Sequence, residues 1–222
     1  MSLYLNALSV YKRADARHKD RTSLFKNVEI LVEPGEVVSL MGPSGCGKST
    51  LLDVIAGHLS DEFTYDGEVT LNGVDIHHLP AHKREVGILF QDDLLFPHLN
   101  VWENLAFALP ESVKGAERKK QALAALQNIS LLELKESYPE QISGGQRARI
   151  ALARMLLAKP QVALLDEPFS KLDKALRAQF RDWVFEQLKQ ANIPALMVTH
   201  DDQDIPLGSR VLNWPWEKRH AG

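Results

Sequence analysis

Glu36-Val37-Val38-Ser39-Leu40-Met41-Gly42-Pro43-Ser44-Gly45-Cys46-Gly47-Lys48-Ser49-Thr50 decides the fold. The stretch opens as a strand, 36–41, and runs into a glycine-rich loop. Residues 49–59 then read as a helix that stops at Gly57-His58 or shortly after. Residues 42–49 satisfy Gly-x4-Gly-Lys-Ser/Thr between a strand and a helix, the context in which this motif cradles phosphate. Gly42, Gly45 and Gly47 let the backbone curl so that N–H groups converge on phosphate oxygens, with Pro43, Ser44 and Cys46 completing the loop. The helix start adds a positive dipole end of about half a charge. Lys48 has the reach and charge for the β- and γ-phosphates, and the Ser49 hydroxyl, followed by Thr50, can hold Mg²⁺. A chain with this loop binds a nucleoside triphosphate.

Outward from the loop, apolar runs of strand length alternate with longer helical patterns, the signature of an α/β domain with a largely parallel sheet. Residues 86–91, 162–165 and 195–199 read as strands, and 176–190 as a helix. Asn72-Gly73 between 69–71 and 75–76 is a hairpin signal. From about 95 to 157 the pattern is helical, with Leu123, Leu126, Ile129, Leu131 and Leu132 at near-helical spacing over 117–134. This marks a helical subdomain inserted into the α/β core.

Val162-Ala163-Leu164-Leu165-Asp166-Glu167-Pro168 is an apolar strand that delivers two acids to its carboxyl edge, where ligands sit in open α/β sheets. Asp166 can hold Mg²⁺ and Glu167 can act as general base on an attacking water. Ser143-Gly144-Gly145-Gln146, just before the helical run 147–158, forms a second anion-binding helix start. One triphosphate does not need two cradles from one chain. A head-to-tail dimer does, each second cradle closing on the nucleotide of the partner.

In this order and spacing, the phosphate loop, Gln91, Ser143–Gln146, Asp166-Glu167 and His200 resemble the ATPase subunits of ABC transporters, over about residues 3–212. The resemblance implies an α/β fold: a P-loop NTPase core with a mostly parallel sheet, an antiparallel β subdomain and the inserted helical subdomain. It implies one ATPase domain, about 1–94 and 159–222 forming the core and about 95–158 the helical part. The cofactors implied are ATP and Mg²⁺. Gln91 matches the glutamine that touches metal and attacking water, His200 the switch histidine at the γ-phosphate, and Asp173 the loop that crosses the dimer interface. Tyr11 is the candidate for stacking on adenine, with Tyr4 and His18 as alternatives. Two positions depart from the usual pattern: Ile142 where leucine is common, and Lys171 where a small residue is common.

Residues 91–105 resemble the segment of polyamine, thiamine, sulfate, molybdate and sugar importer ATPases that leads into the groove for the transmembrane permease. Leu94, Leu95, Phe96, Leu99 and Trp102 either face that partner or pack inside the helical subdomain. Import of a small solute is therefore expected, without the C-terminal regulatory domain of many such importers. The same core could serve an exporter or lipoprotein-release complex, or a soluble ABC ATPase. A homodimer or paired ATPase subunit is the other partner implied.

Composition fits this reading. A net charge of -3 and a pI near 6.2 give no global basic field, so nucleic acid is not expected as a partner. The basic residues Lys12, Arg13, Arg17, His18, Lys19 and Arg21 are interrupted by Asp15 and Asp20 and read as a solvated loop. No window approaches the roughly 18 apolar residues of a membrane span, and no secretory leader is visible, so a cytoplasmic protein peripheral to the membrane is expected. Cys46, the one cysteine, excludes an internal disulfide. Its place in the loop makes it either a reactive thiol or a buried one.

Overall fold

The structure, a computed structural model, describes residues 1–13, 22–172 and 174–214. Asp173, His18, Trp216 and most of the interrupted basic stretch lie outside those residues. The chain begins with β1 (Leu3–Lys12), β2 (Thr22–Val32), β3 (Val37–Met41), α1 (Lys48–Ala56), β4 (Phe63–Leu71), β5 (Val74–Asp75) and β6 (Val86–Leu89). There follow α2 (Val101–Ala108), α3 (Gly115–Asn128), α4 (Gly144–Leu157), β7 (Val162–Asp166), α5 (Lys174–Gln190), β8 (Ala195–Thr199) and β9 (Arg210–Asn213).

Two compact units result. The first gathers, in its described residues, Met1–Ile88, Gln161–Glu167 and Phe185–Gly222; the second gathers Leu89–Pro160 and Pro168–Val184. A parallel sheet of order β6-β7-β8-β3-β9 belongs to the first unit. Its inner strands β7 and β8 are buried almost throughout, which is why they read as unbroken apolar runs rather than alternating ones. The sheet registers bring Met41, Asp166 and Thr199 to one edge, since Met41 pairs with Thr199 and Asp166 with Val198.

An antiparallel sheet of order β2-β1-β4-β5 shares the core of this unit. Along β1 the buried side chains are Leu3 and Leu5, then Leu8 and Val10, so the period of two slips by one residue. The cause is a bulge. Ala7 takes φ 49, the register shifts between Leu5 and Leu8, and Asn27 on β2 takes φ 53. Gly67 on β4 lies opposite at φ 105, where a Cβ would stand 2.7 Å from the Ala7 carbonyl oxygen. The Asn72-Gly73 turn forms as expected, both residues at positive φ between β4 and β5.

In the second unit α2 packs on α3 and α4. Leu105, Leu126, Ile150 and Leu152 are fully buried in this unit. The helix expected over 117–134 instead ends at Asn128. Ser130 turns left-handed at φ 57, and the Ser130 and Leu131 N–H groups close on the Gln127 and Leu126 carbonyls. This stop resembles a Schellman motif without its glycine, which is why no helix end was visible in the sequence.

Candidate functional site

Residues 42–47 connect β3 to α1 as a loop, with Gly45 at φ 78 and Gly47 at φ 91. These left-handed values favour glycine. A Cβ on Gly47 would also meet the Leu24 side chain at 2.9 Å. The helix that follows is held at its far end by Gly57 at φ 80, and by Arg84, whose buried guanidinium donates to the Val54 and Ile55 carbonyls. A cation there complements the negative end of the helix dipole.

Lys48 is only 5% exposed. Its ammonium donates to the Gly42 and Pro43 carbonyls, both at 2.7 Å, so the buried charge is satisfied by the loop itself. The Ser49 hydroxyl donates to Asp166 Oδ1 at 3.0 Å. Burial pushes the Asp166 carboxyl above the ordinary carboxylate range; Glu167 adds to this, while the Ser49 hydrogen bond and Lys48 oppose it. Asp53, on α1, is also raised, by burial first and then by the charge of Asp166. Glu167 sits at φ 46, an unusual backbone for a non-glycine residue, and its N–H donates to the Val198 carbonyl. His200 Nδ1 lies 3.0 Å from Glu167 Oε1. The turn that presents His200 is tied by Thr199, whose hydroxyl donates to the buried Asp204 carboxylate at 2.7 Å and accepts from the Asp201 N–H.

One cleft is lined by Ser44, Gly45, Gly47, Lys48, Ser49, Thr50 and Glu167, with Leu24 and Phe63 as its apolar walls. The sequence reading did not single out Leu24 or Phe63; they arrive from β2 and β4, and no local motif marks them. Tyr11 is not among the lining residues. It pairs with Thr64, so by strand alternation it stands on the face opposite to Phe63. Tyr4 lies towards the other end of β1, its hydroxyl donating to Glu29. Cys46 is half-buried, with its thiol donating to the Pro43 carbonyl.

The remaining sequence-derived residues lie in the second unit. Ser143 caps α4: its hydroxyl accepts from the Gln146 N–H, and the Gln146 side chain accepts from the Ser143 N–H. The serine O–H keeps its own proton to donate, and Gly144 and Gly145 occupy the first turn. Ile142 is buried below them. Gln91 follows β6, which ends at Leu89 rather than Gln91, and is exposed. Next to it, Asp92 pairs with Lys171, and Asp93 Oδ2 lies 2.8 Å from Arg147 Nε. Arg154 donates to the Asp93 and Leu94 carbonyls. Thus α4 grips the segment after Gln91 through two arginines that the sequence reading did not assign.

The apolar residues of 94–102 divide. Leu95 is buried, Leu94 is 54% exposed, and Phe96, Leu99 and Trp102 are half-buried. Asn104, fully buried, accepts from the Phe96 N–H and donates to the Phe96, Leu99 and Asn100 carbonyls, which fixes the turn before α2. Phe107, 65% exposed, stands edge-on to Phe96 at 4.7 Å.

A glycine loop between a central parallel strand and a helix, with lysine, serine and two strand-end carboxylates around one cleft, defines a P-loop nucleoside triphosphatase. Comparison with known proteins takes this further. The family model described as ABC transporter matches residues 25–170. The chain is 50% identical over 190 residues to the ABC transporter ATP-binding protein YnjD of Escherichia coli (strain K12), covering 86% of this chain and 88% of that one. It is 40% identical over 202 residues to the sulfate/thiosulfate import ATP-binding protein CysA of Acinetobacter baylyi, covering 89% of this chain but 56% of CysA. It therefore spans little more than half the length of that relative. The ATP-binding cassette MJ0796, in a dimeric post-hydrolysis state bound to ADP and Pi, superposes with a TM-score of 0.77 at 30% identity, over 95% of this chain and 93% of that one. The chain belongs to the ABC transporter family, as one of its ATPase subunits.

Proposed function

We propose that this subunit drives uptake of a small solute through a membrane permease, working as a dimer that closes on two ATP molecules. The organisation proposed is a single ATPase domain, with about 1–94 and 159–222 as core and about 95–158 as the inserted helical part. One observation carries the chemistry: the carboxyl ends of neighbouring strands β7, β8 and β3 bring Glu167, His200 and the phosphate loop together.

Lys48 exchanges its two loop carbonyls for phosphate oxygens, since contacts with an ionised acceptor are the stronger ones. The N–H groups of the loop and of the α1 start take the remaining phosphate charge. The donor set fits Mg²⁺. Ser49 Oγ and Asp166 are hard oxygens joined by a 3.0 Å hydrogen bond beside the phosphate loop, and the charge of Asp166 reaches Asp53. Ser49, Asp166 and Gln91 would hold that ion, which when bound neutralises charge on the β- and γ-phosphates. Glu167 takes the proton of the attacking water. His200 keeps the Glu167 carboxylate in place through their 3.0 Å contact. Phe63, the ring that lines the cleft, is proposed to stack on the adenine in place of Tyr11. Ser143–Gln146 of one chain, with Asp173, is proposed to close on the nucleotide held by the other.

Import is supported by the relatives named as importers, CysA and the spermidine/putrescine import ATP-binding protein PotA of Legionella pneumophila. Residues 91–105 are proposed to receive the permease, through the exposed Leu94 and the Phe96–Phe107 pair beside it. Among the described residues no helix is long and apolar enough to cross a membrane; the subunit is proposed to be held at the membrane by its partner.

Glu167→Gln tests the chemistry. The amide cannot accept the water proton, so turnover should fall by about 10²–10⁴-fold while ATP binding is retained. Phosphate release and ATP affinity, measured on the same preparation, separate the two. Near-wild-type turnover would remove Glu167 from the general-base role.

A further inference from the structure

Trp214 follows the edge strand β9, outside every motif in this sequence, yet two of its groups meet the phosphate loop and a third meets the last residue of β3, where the loop begins. Its backbone N–H donates to the Met41 carbonyl at 2.6 Å, extending the β9–β3 ladder one step past the Met41–Asn213 pair. Its indole Nε1–H donates to the Cys46 carbonyl at 2.7 Å. Its own carbonyl oxygen would lie 2.2 Å from a Cβ on Gly42. Gly42 therefore has no room for a side chain because Trp214 is there. The ring is 3% exposed and packs edge-on against Phe25 at 4.9 Å.

We infer that Trp214 is a positioning residue for ATP hydrolysis, holding both ends of the phosphate loop so that its N–H groups face the nucleotide before it arrives. The argument runs through peptide geometry. In a trans peptide the C=O and the following N–H point in opposite directions. With the Cys46 oxygen held against the buried indole, the Gly47 N–H is turned the other way. Gly47 lines the cleft together with Ser44, Gly45 and Lys48. The bond to Met41 fixes where the loop leaves β3, and the bond to Cys46 fixes where it enters α1. Leu24, beside Phe25 on β2, bears on Gly47. A loop already held in its binding conformation spends none of its phosphate affinity on ordering itself.

Filling the space beneath the loop needs only an aromatic ring. Orienting the Cys46–Gly47 peptide needs the indole N–H. Trp214→Phe separates these, because it keeps ring and backbone bonds and removes one donor. A half-buried carbonyl deprived of its partner no longer holds its peptide plane. ADP and ATP should then bind about tenfold more weakly, the effect of one such hydrogen bond. The kcat at saturating ATP should stay within about twofold, since Glu167 and His200 are untouched. A fluorine label adds a direct signature. In protein carrying 5-fluorotryptophan, the Trp214 resonance is assigned by replacing Trp102, Trp183 and Trp216 in turn. It should shift on addition of Mg-ADP with a midpoint equal to the measured Kd.

The inference rests on reading 42–49 as the phosphate cradle, and Lys48→Ala tests that reading separately. Weak ADP binding by Lys48→Ala supports the cradle; wild-type binding by it would overturn both ideas. With the cradle upheld, a folded Trp214→Phe of unchanged ADP affinity would overturn the role of the indole. So would a Trp214 resonance unmoved at saturating Mg-ADP, a result that needs no substitution at Trp214.

Discussion

Asp166 is raised above the ordinary carboxylate range chiefly because it is buried, and its neighbours disagree: Glu167 raises it further, Ser49 and Lys48 lower it. A raised carboxyl binds more protons folded than unfolded, so folding stability falls as pH rises from the unfolded value through the raised folded one. Above that window the nucleotide-free protein bears the whole cost of the ionised form. Asp166→Asn removes that cost, and an amide oxygen can still accept from Ser49. The variant should melt a few degrees higher than wild type at neutral pH. The difference should vanish in acid, below the unfolded pKa, with ATP hydrolysis lost throughout. Melting curves of both proteins from acid to neutral pH check this, and an equal offset at every pH would show that ionisation is not the cause. Gly42, Lys48, Ser49, Asp166 and Glu167 were legible because each lies in a short motif whose chemistry dictates its residue types. Phe63, Leu24 and the indole of Trp214 were not, because they reach the loop from strands remote in sequence and no local pattern announces them. The same limit applies to the aromatic at the base. Tyr11 was read from its place before the loop, whereas Phe63 is the ring that lines the cleft.

At the scale of elements, legibility followed regularity. The parallel strands were readable because both faces are covered, which gives unbroken apolar runs. β1 was not, because the bulge at Ala7 reverses which face is buried halfway along, so neither half is long enough to show a period of two. The end of α3 was hidden for a related reason: Ser130 adopts the conformation for which glycine is the usual sign. The segment 94–107 combines both kinds of surface. Leu95 anchors it from inside and Asn104 fastens its turn with four hydrogen bonds, while Leu94 and Phe107 stay exposed. A permease-docking role for this face predicts a division among variants. Leu94→Ser and Phe107→Ser, at exposed positions, should fold normally and keep basal ATPase but lose transport and co-purification with the permease. Asn104→Ala should lower stability by about 2 kcal/mol or more, because four backbone groups lose a buried partner. Transport assays and denaturant melts of the three variants distinguish docking from packing. Wild-type transport in the double variant Leu94→Ser/Phe107→Ser would place the docking face elsewhere.

At the scale of the whole molecule the feature that points to a dimer is duplication: besides the phosphate loop at 42–49, one chain carries a second glycine-rich helix start, at 143–146. The second has a capping box, two glycines in its first turn and no acidic residue there, so its positive end is left uncompensated by the helix itself. The dimeric state of MJ0796, which superposes on nearly the whole chain, supports dimerisation; in the two-fold arrangement proposed above, each second cradle meets the nucleotide of the other subunit. Such a dimer is selected by ATP only to the extent that ATP binds it better than the monomer. If closing the second cradle tightens each of two sites about a hundredfold, the dimerisation constant rises by about 10⁴, or about 5.5 kcal/mol. Hydrolysis dissipates that gain in the wild type, and Glu167→Gln preserves it. Glu167→Gln should therefore sediment as a monomer without nucleotide and as a dimer in saturating Mg-ATP. Adding Ser143→Arg, which places a long side chain at the second cradle, should restore the monomer while leaving ATP bound to each chain. Sedimentation velocity paired with a nucleotide-binding measurement reads both. A Glu167→Gln protein saturated with ATP yet monomeric would dispose of the paired-cradle dimer while leaving the phosphate loop as it stands.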